Sequence, residues 1–392
     1  MVDYAQTPSV RAERILELGA LLRRIDWLLL LAVGALVALG LWAIGGITRD
    51  DVTGDPDYYL VRQGVFAALG GVGLCGALLI DPDLYRRYWK VAYGTLVGLL
   101  LLLIAAGEVT RGSKRWIEIG FFRFQPSEFG KLLLVLSLAG FLASRTKRIN
   151  EIQTVAAAVG LTALPWLLVF AEPDIGSSLV YLAALAAVLF IAGVRWLHLA
   201  ALGLAALLVA VAVLWALPSA GMDVLKPYQQ KRLTGFLNPD QDPGGDTYNL
   251  TQSKTAVGAG GATGRGVNGA TQTKLNYLPE HATDFAFASY AEQRGFVGAA
   301  ILLGLYLLVV WRGLKIVAGA RDAFSAIAAG GIVFAFLLQV FVNVGMTIGI
   351  APITGIPLPF VSVGGSSLIS NLIAIGVLQA ICARSRANGR RR

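Results

Sequence analysis

A chain of 392 residues that is 56% hydrophobic and only 15% charged, with a mean hydropathy of +0.66, excludes an ordinary water-soluble globule, which would need large exposed apolar patches. Its two cysteines, Cys75 and Cys382, lie in or at the end of apolar runs near opposite chain ends, which excludes a disulfide scaffold or a thiolate metal site. The net charge of +9 is accounted for by membrane topology and anionic lipid and gives no reason to invoke nucleic acid.

Residues 10–25 alternate apolar Ile15, Leu18 and Leu22 with Arg11, Glu13, Arg14 and Glu17, the pattern of an interfacial amphipathic helix or else of a basic tail. Nearly uncharged runs then recur at the ~20-residue length that spans a hydrocarbon core as helix, whereas barrel strands would alternate over ~10 residues. They fall near 27–46, 61–80, 89–107, 126–144, 152–171, 176–194, 197–217, 295–313, 324–344 and 366–383, predicting an all-α polytopic membrane protein with about ten spans. The first run lacks a small-residue cleavage pattern and is followed by Arg49, Asp50 and Asp51, so it reads as a retained anchor. Arg23, Arg24, Arg86, Arg87, Lys90, Arg145, Arg312, Lys315 and Arg386 all fall on the side that holds both termini, which predicts cytoplasmic termini.

The chain is expected to form one membrane domain over 1–392, with its chemistry in the segments on the other side. The loop over 108–125 is basic, with Arg115, and leads through Gln125, Pro126, Ser127 and Glu128 to Lys131. Proline suits a first helical turn, and Glu128 and Lys131 share one helix face, as a structural ion pair or as the lining of a site. Glu172, Pro173, Asp174 and Gly176 break the chain between two spans, so Asp174 reads as a helix cap or, with Glu128, as a hard-oxygen ligand for a divalent cation.

A large loop over 218–294 is too long and too rich in Gly, Asn, Asp and basic residues for a plain connection. Within it, Gly264, Gly266 and Gly269 match GxGxxG without the strand-to-helix context of a dinucleotide site, so they point to tight turns or close backbone approach. At its end Asp284 stands between polar loop and apolar run, where partial desolvation would raise its basicity as a general base requires; the alternative is a helix N-cap. Residues 352–367, with Gly355, Pro357, Pro359, Ser362, Gly364 and Gly365, describe irregular backbone at membrane depth, either a plain turn or the lining of a cavity.

The segments RWIEIGFFRFQPSEFGK (115–131), EPDIGSS (172–178), NPDQDPGGDTYNLTQSKTAVGAGGATGRG (238–266), LPEHATDF (278–285) and NVGMTIGIAPITGIPLPFVSVGGSS (343–367) resemble, in order, the signatures of the SEDS family of bacterial peptidoglycan glycosyltransferases. The run Gly355 to Phe360, with Pro357, looks like the rod-shape branch of that family rather than its division branch. The resemblance implies the SEDS fold, multi-pass location in the bacterial cytoplasmic membrane, and polymerisation of lipid II at its outer side. A class B penicillin-binding protein and other elongation-complex membrane proteins would be its partners, with membrane lipid around it. It implies that Asp284 is the essential aspartate and that Glu128, Lys131 and Asp174 are polar cavity residues, and Arg115, Gln125, Ser127, Glu128, Lys131, Ser362, Gly364 and Gly365 are expected to meet substrate. Mg²⁺ or Mn²⁺ at Glu128 and Asp174 is the expected cofactor. Two positions depart from the pattern: His281 is one residue early, with Ala282 in its place, and Val363 replaces a tyrosine. A lipid II flippase would need polar cavities open to both sides, and a non-catalytic scaffold would have no individually essential loop carboxylate.

Overall fold

The computed structural model describes residues 19, 21–110, 113–120, 122–219 and 246–389. The stretch of 10–25 up to Leu18, Arg111 and Gly112, residues 220–245 of the large loop and Arg390 to Arg392 lie outside the described residues.

The elements in chain order are α1 (Trp27–Ile47), α2 (Tyr58–Leu79), α3 (Pro82–Arg87), α4 (Trp89–Ala106), β1 (Glu108–Thr110), β2 (Ser113–Ile119), β3 (Phe122–Phe124), α5 (Pro126–Ala143), α6 (Ile152–Ala171), α7 (Ile175–Ile191) and α8 (Trp196–Ser219). After residue 245 come α9 (Asp246–Ala259), α10 (Gly266–Gly269), α11 (Thr271–Lys274), α12 (Ala286–Gly319), α13 (Ala323–Ile348) and α14 (Gly365–Gly389). Nine of the described helices are long and apolar enough to cross a membrane, and α7, with 17 residues, is the shorter apolar helix at the sixth expected span. At 1.5 Å per residue it reaches only ~25 Å, and it sits among protein, with Val180, Tyr181, Ala184, Leu185, Val188 and Leu189 buried.

Two segments depart from the expected reading. The loop over 108–125 holds a small antiparallel sheet in the order β1-β2-β3, with Ile117 opposite Phe124. The helix of the eighth span is longer than expected, running from Ala286 as two helical pieces that meet at Gly295, at φ +66°, so the expected start near 295 falls at the kink. The left-handed conformation there favours glycine. Against that kink lies the glycine-rich turn of the large loop: the amides of Phe296 and Val297 donate to the carbonyls of Gly261 and Ala262 at 2.8 and 3.0 Å, and the Arg265 amide donates to the Glu292 carbonyl at 2.9 Å. The GxGxxG run therefore provides close backbone approach, preceded by a turn instead of a strand.

Lipid tails are as apolar as the helices, so association rests on close packing and polar contacts. α2 and α14 meet through small residues: a Cβ at Gly376 would lie 2.9 Å from Ala77 Cβ, and one at Gly70 would lie 3.3 Å from Ile369 Cα. α5, α13 and α14 form the buried centre of the bundle, whereas α8 buries nothing against the described protein. The described part of the large loop is attached to this bundle: α9 docks on the end of α13, where Ser253 Oγ donates to the Thr347 carbonyl at 2.8 Å, and Leu250, Leu278, Phe285 and Ile353 share a small core.

Candidate active site

Four of the five signature segments converge at one end of the bundle. α5 begins with Gln125 at its cap position and Pro126 in its first turn. The Gln125 amide donates to Ser366 Oγ at 2.9 Å, and that hydroxyl donates to the Arg123 carbonyl at 3.0 Å, so the start of α5 is tied to the start of α14. Inside the bundle Lys131 Nζ lies 2.6 Å from Glu128 Oε1 and donates to Gln339 Oε1 of α13 at 3.1 Å. The pair is buried, and Glu128 Oε2 has no partner among the described residues. Glu128 and Lys131 line a cavity of about 40 Å³ walled by α5, α12, α13 and α14, with Gln339, Ser370 and Asn371 as its other polar residues.

Asp174 fulfils the cap reading and adds to it. Its Oδ1 accepts from the Ser177 amide at 3.0 Å, capping α7, while Oδ2 accepts from Gln125 Nε2 at 3.1 Å and Ser127 Oγ at 3.2 Å. Tyr181 Oη donates to the Ser127 carbonyl at 3.2 Å, and Arg115 Nη2 donates to the Pro173 carbonyl. Arg115, Gln125, Ser127 and Asp174 are thus brought together. Glu172 beside them is 3% exposed, and neither of its carboxylate oxygens has a hydrogen-bond partner among the described residues. Burial, then the Asp174 charge, push its carboxyl up to about 8 against the pull of Arg115.

Asp284 stands at the entry to α12, but the cap position falls on Phe285, which makes no side-chain cap bond. Its carboxylate lies over Gly355, where a Cβ would be 3.2 Å from Asp284 Oδ2. Asn343 Nδ2 donates both to the Asp284 carbonyl at 2.9 Å and to the Ile356 carbonyl at 2.8 Å. Ser362 Oγ donates to the Thr283 carbonyl and accepts from the Leu358 amide at 2.9 Å, and the Val363 amide donates to the Ala282 carbonyl at 2.9 Å. Residues 354–363 are therefore laid along 282–284. The turn Thr354–Ile356 also touches the Asp174 side, since a Cβ at Gly176 would lie 2.6 Å from the Thr354 carbonyl oxygen. One short turn joins the two carboxylate motifs.

Ser362 is spent on holding this turn. Gly364 and Gly365 face α2: the Gly364 amide donates to Gln63 Oε1 at 3.3 Å, and a Cβ at Gly365 would lie 2.8 Å from the Phe66 ring. His281 is bound elsewhere, with Nε2 3.0 Å from Asp51 Oδ1 and Nδ1 3.2 Å from the Leu278 carbonyl oxygen. Sequence reasoning passed over Gln63, Gln339 and Asn343. Each is a lone amide in an apolar span, and burying an unpaired amide costs ~2–7 kcal/mol, which is itself the signal of an internal polar contact.

No group of three or more His, Cys, Asp or Glu among the described residues is arranged to hold a metal ion. Glu128 Oε1 is engaged by Lys131 and both Asp174 oxygens accept hydrogen bonds, whereas both oxygens of Glu172, two residues from Asp174, are without a partner among the described residues. A magnesium ion commonly takes one or two protein carboxylates and completes its shell with water and substrate phosphate.

The chain resembles known proteins along nearly its whole length. It is 37% identical over 356 residues to the peptidoglycan glycosyltransferase MrdB of Escherichia coli (strain K12), covering 90% of this chain and 91% of that protein. It is 36% identical over 362 residues to stage V sporulation protein E of Bacillus subtilis (strain 168), covering 92% and 95%. Among solved structures, a chain from work on structural coordination of polymerization and crosslinking by a peptidoglycan synthase complex superposes with a TM-score of 0.78 at 30% identity, covering 92% of this chain and 98% of that one. The rod shape determining protein RodA of Thermus thermophilus superposes with a TM-score of 0.68 at 28% identity, covering 91% and 96%. With residues 23–387 also matching the family model for FtsW, RodA and SpoVE, described as cell cycle protein, the chain belongs to that family.

Proposed function

We propose that this protein is a peptidoglycan glycosyltransferase that polymerises lipid II into glycan strands for cell-wall elongation and rod shape. The observation that supports the reading is the turn Thr354–Ile356, which touches the Asp284 carboxylate at Gly355 and touches Gly176, two residues from Asp174 in the cluster of Glu172, Asp174, Gln125, Ser127 and Arg115. A base and a charged cluster on one membrane face match a reaction with an acceptor hydroxyl at one end and a diphosphate at the other.

In this mechanism Asp284 accepts the proton of the acceptor's 4-hydroxyl as its oxygen attacks the donor's anomeric carbon. The bond from that carbon to the diphosphate oxygen breaks, and undecaprenyl diphosphate departs with the electron pair. The configuration inverts from α to β in one displacement. Arg115, whose Nε has no partner among the described residues, and Lys131 supply fixed positive charge where negative charge develops. Mg²⁺ or Mn²⁺, held by Asp174 with Glu172 or Glu128, would neutralise charge on the departing diphosphate. A class B penicillin-binding protein supplies crosslinking beside it in the bacterial cytoplasmic membrane, with both termini cytoplasmic and the site outside.

The test is glycan polymer formation from lipid II by the detergent-solubilised chain with its cognate class B penicillin-binding protein. Polymer without a sealed membrane is expected, and chelation should abolish it until Mg²⁺ or Mn²⁺ is restored. Lipid scrambling in vesicles with no polymer under any condition would overturn the enzyme reading, and polymerisation unchanged in excess chelator would remove the cation.

A further inference from the structure

A second polar concavity lies on the membrane face opposite Asp284, enclosed by the chain before α1, the end of α12 and the end of α14. It has a volume of about 500 Å³ and carries six basic side chains, Arg23, Arg24, Arg312, Lys315, Arg321 and Arg386, against the single carboxylate of Asp26. Arg312 lies 17 residues of helix beyond the Gly295 kink, roughly 25 Å at 1.5 Å per residue, so this concavity has no part in the site described above.

Asp26 makes the floor rigid. It caps α1 through the Leu29 amide at 3.0 Å, and its backbone exchanges hydrogen bonds with the Gln379 amide group at 2.8 and 2.9 Å. Arg312 Nε lies 3.1 Å from both of its carboxylate oxygens, and Arg386 Nη2 lies 3.5 Å from Oδ2. Arg386 also donates to the carbonyls of Arg24 and Ile25, at 3.1 and 2.6 Å. One carboxylate is therefore shared by two guanidiniums. Among the described residues, no carboxylate pairs with Arg23, Arg24, Lys315 or Arg321. Fixed positive charge with spare donors in a concave site fits an anion with several acceptor oxygens, as a phosphate has.

The surroundings place this anion at the lipid interface. Trp27 and Trp311 are about half exposed at the rim, in the position of aromatic belt residues, with Lys315 Nζ 3.8 Å from the Trp311 ring centroid. Beyond them Leu28, Leu31 and Leu314 are exposed as a surface for acyl chains. We propose that this concavity binds the phosphate of an anionic phospholipid headgroup in the leaflet opposite the Asp284 face. Basic residues collect on one membrane side in many proteins, but a diffuse flank of charge has neither a cavity nor guanidiniums locked by a shared carboxylate.

The test compares retention of phosphatidylglycerol, cardiolipin and phosphatidylethanolamine by the full chain in native mass spectrometry, with inorganic phosphate titrated as the soluble probe. The chain should retain the two anionic lipids at least tenfold over phosphatidylethanolamine. Lys315→Gln with Arg321→Gln, which leaves the Asp26 pairs intact, should remove that preference, since each basic side chain near anionic lipid contributes roughly fivefold. Arg87→Gln with Lys90→Gln, two exposed basic residues on the same membrane side outside the concavity, should preserve it. Equal loss in both double variants, with unchanged thermal melting, would overturn the site in favour of diffuse charge. Inorganic phosphate binding without preference among the lipids would overturn the lipid as the source of the anion.

Discussion

α5 and α8 are both membrane spans, yet they do opposite things. α8 is the most apolar span and buries none of its best window in the described protein, while α5 is among the least apolar and buries 78% of its own. The comparison teaches that hydropathy identifies what crosses the membrane but does not rank the helices by their importance to the site: α13, at a hydropathy of 2.2, is still 72% buried. A helix whose neighbours are lipid pays for every polar group it carries, so between His198 near its start and Ser219 at its end α8 has no polar side chain but the Trp215 indole. A helix whose neighbours are protein can hold Glu128 and Lys131, because Gln339 reaches Lys131 from the packed partner α13.

Four measurements break or sharpen this contrast. Asp284→Asn, on the turn packed against the inner helices, should lower polymer formation by on the order of 10² to 10⁴ while co-purification with the penicillin-binding protein persists. Glu280→Gln beside it serves as the control, and near-normal polymerisation by the Asn variant would remove Asp284 from catalysis. Lys131→Met leaves Glu128 charged and buried, and should cost about 3–5 kcal/mol of stability, read as a fall in Tm in detergent. Adding Glu128→Gln should recover most of the loss; a single variant as stable as the parent would show that α5 is not relied on for packing.

The third measurement uses Glu172. With its carboxyl raised from the usual 4.5 to about 8, the unfolded chain ionises first as pH rises, so stability is greatest below that window and is lost across it. Glu172→Gln should flatten that part of the profile, and an unchanged slope would assign the loss to other groups. The smallest effect belongs to α8. Leu208, 60% exposed, should tolerate Ala within about 0.5 kcal/mol, and a larger drop in Tm would reveal a protein partner on the face assigned to lipid.

The spans were legible because a bilayer enforces length and apolarity residue by residue, and nine described helices with α7 fall where the runs are. Asp284, Asp174, Glu128 and Lys131 were legible as charges in places where charge is costly. What local sequence does not show is pairing across the bundle. Glu128 is matched with Lys131 at helical spacing, but nothing local states that Asp174 binds Gln125 and Ser127, or that Asn343 clamps two carbonyls. Ser362, Gly364 and Gly365 contact Thr283, Gln63 and Phe66, which no local pattern announces, because a dense Pro and Gly run is equally suited to ligands and to close packing. The three short strands before α5 were missed since β1 and β3 have three residues each, too few to establish an alternation.

The turn Thr354–Ile356 also bears on how the enzyme meets membranes of different thickness. Spans respond to a thicker or thinner bilayer by tilting, and tilt moves the ends of separate helices relative to one another. Here the ends of α7 and α12 rest on the same three residues, at Gly176 and at Asp284. A change of tilt that carries one motif carries the other with it, so the spacing between the carboxylate cluster and Asp284 is set by a peptide turn and not by the lipid. Polymerisation should therefore vary little across reconstituted bilayers of different acyl-chain length, even where the fold's thermal stability does.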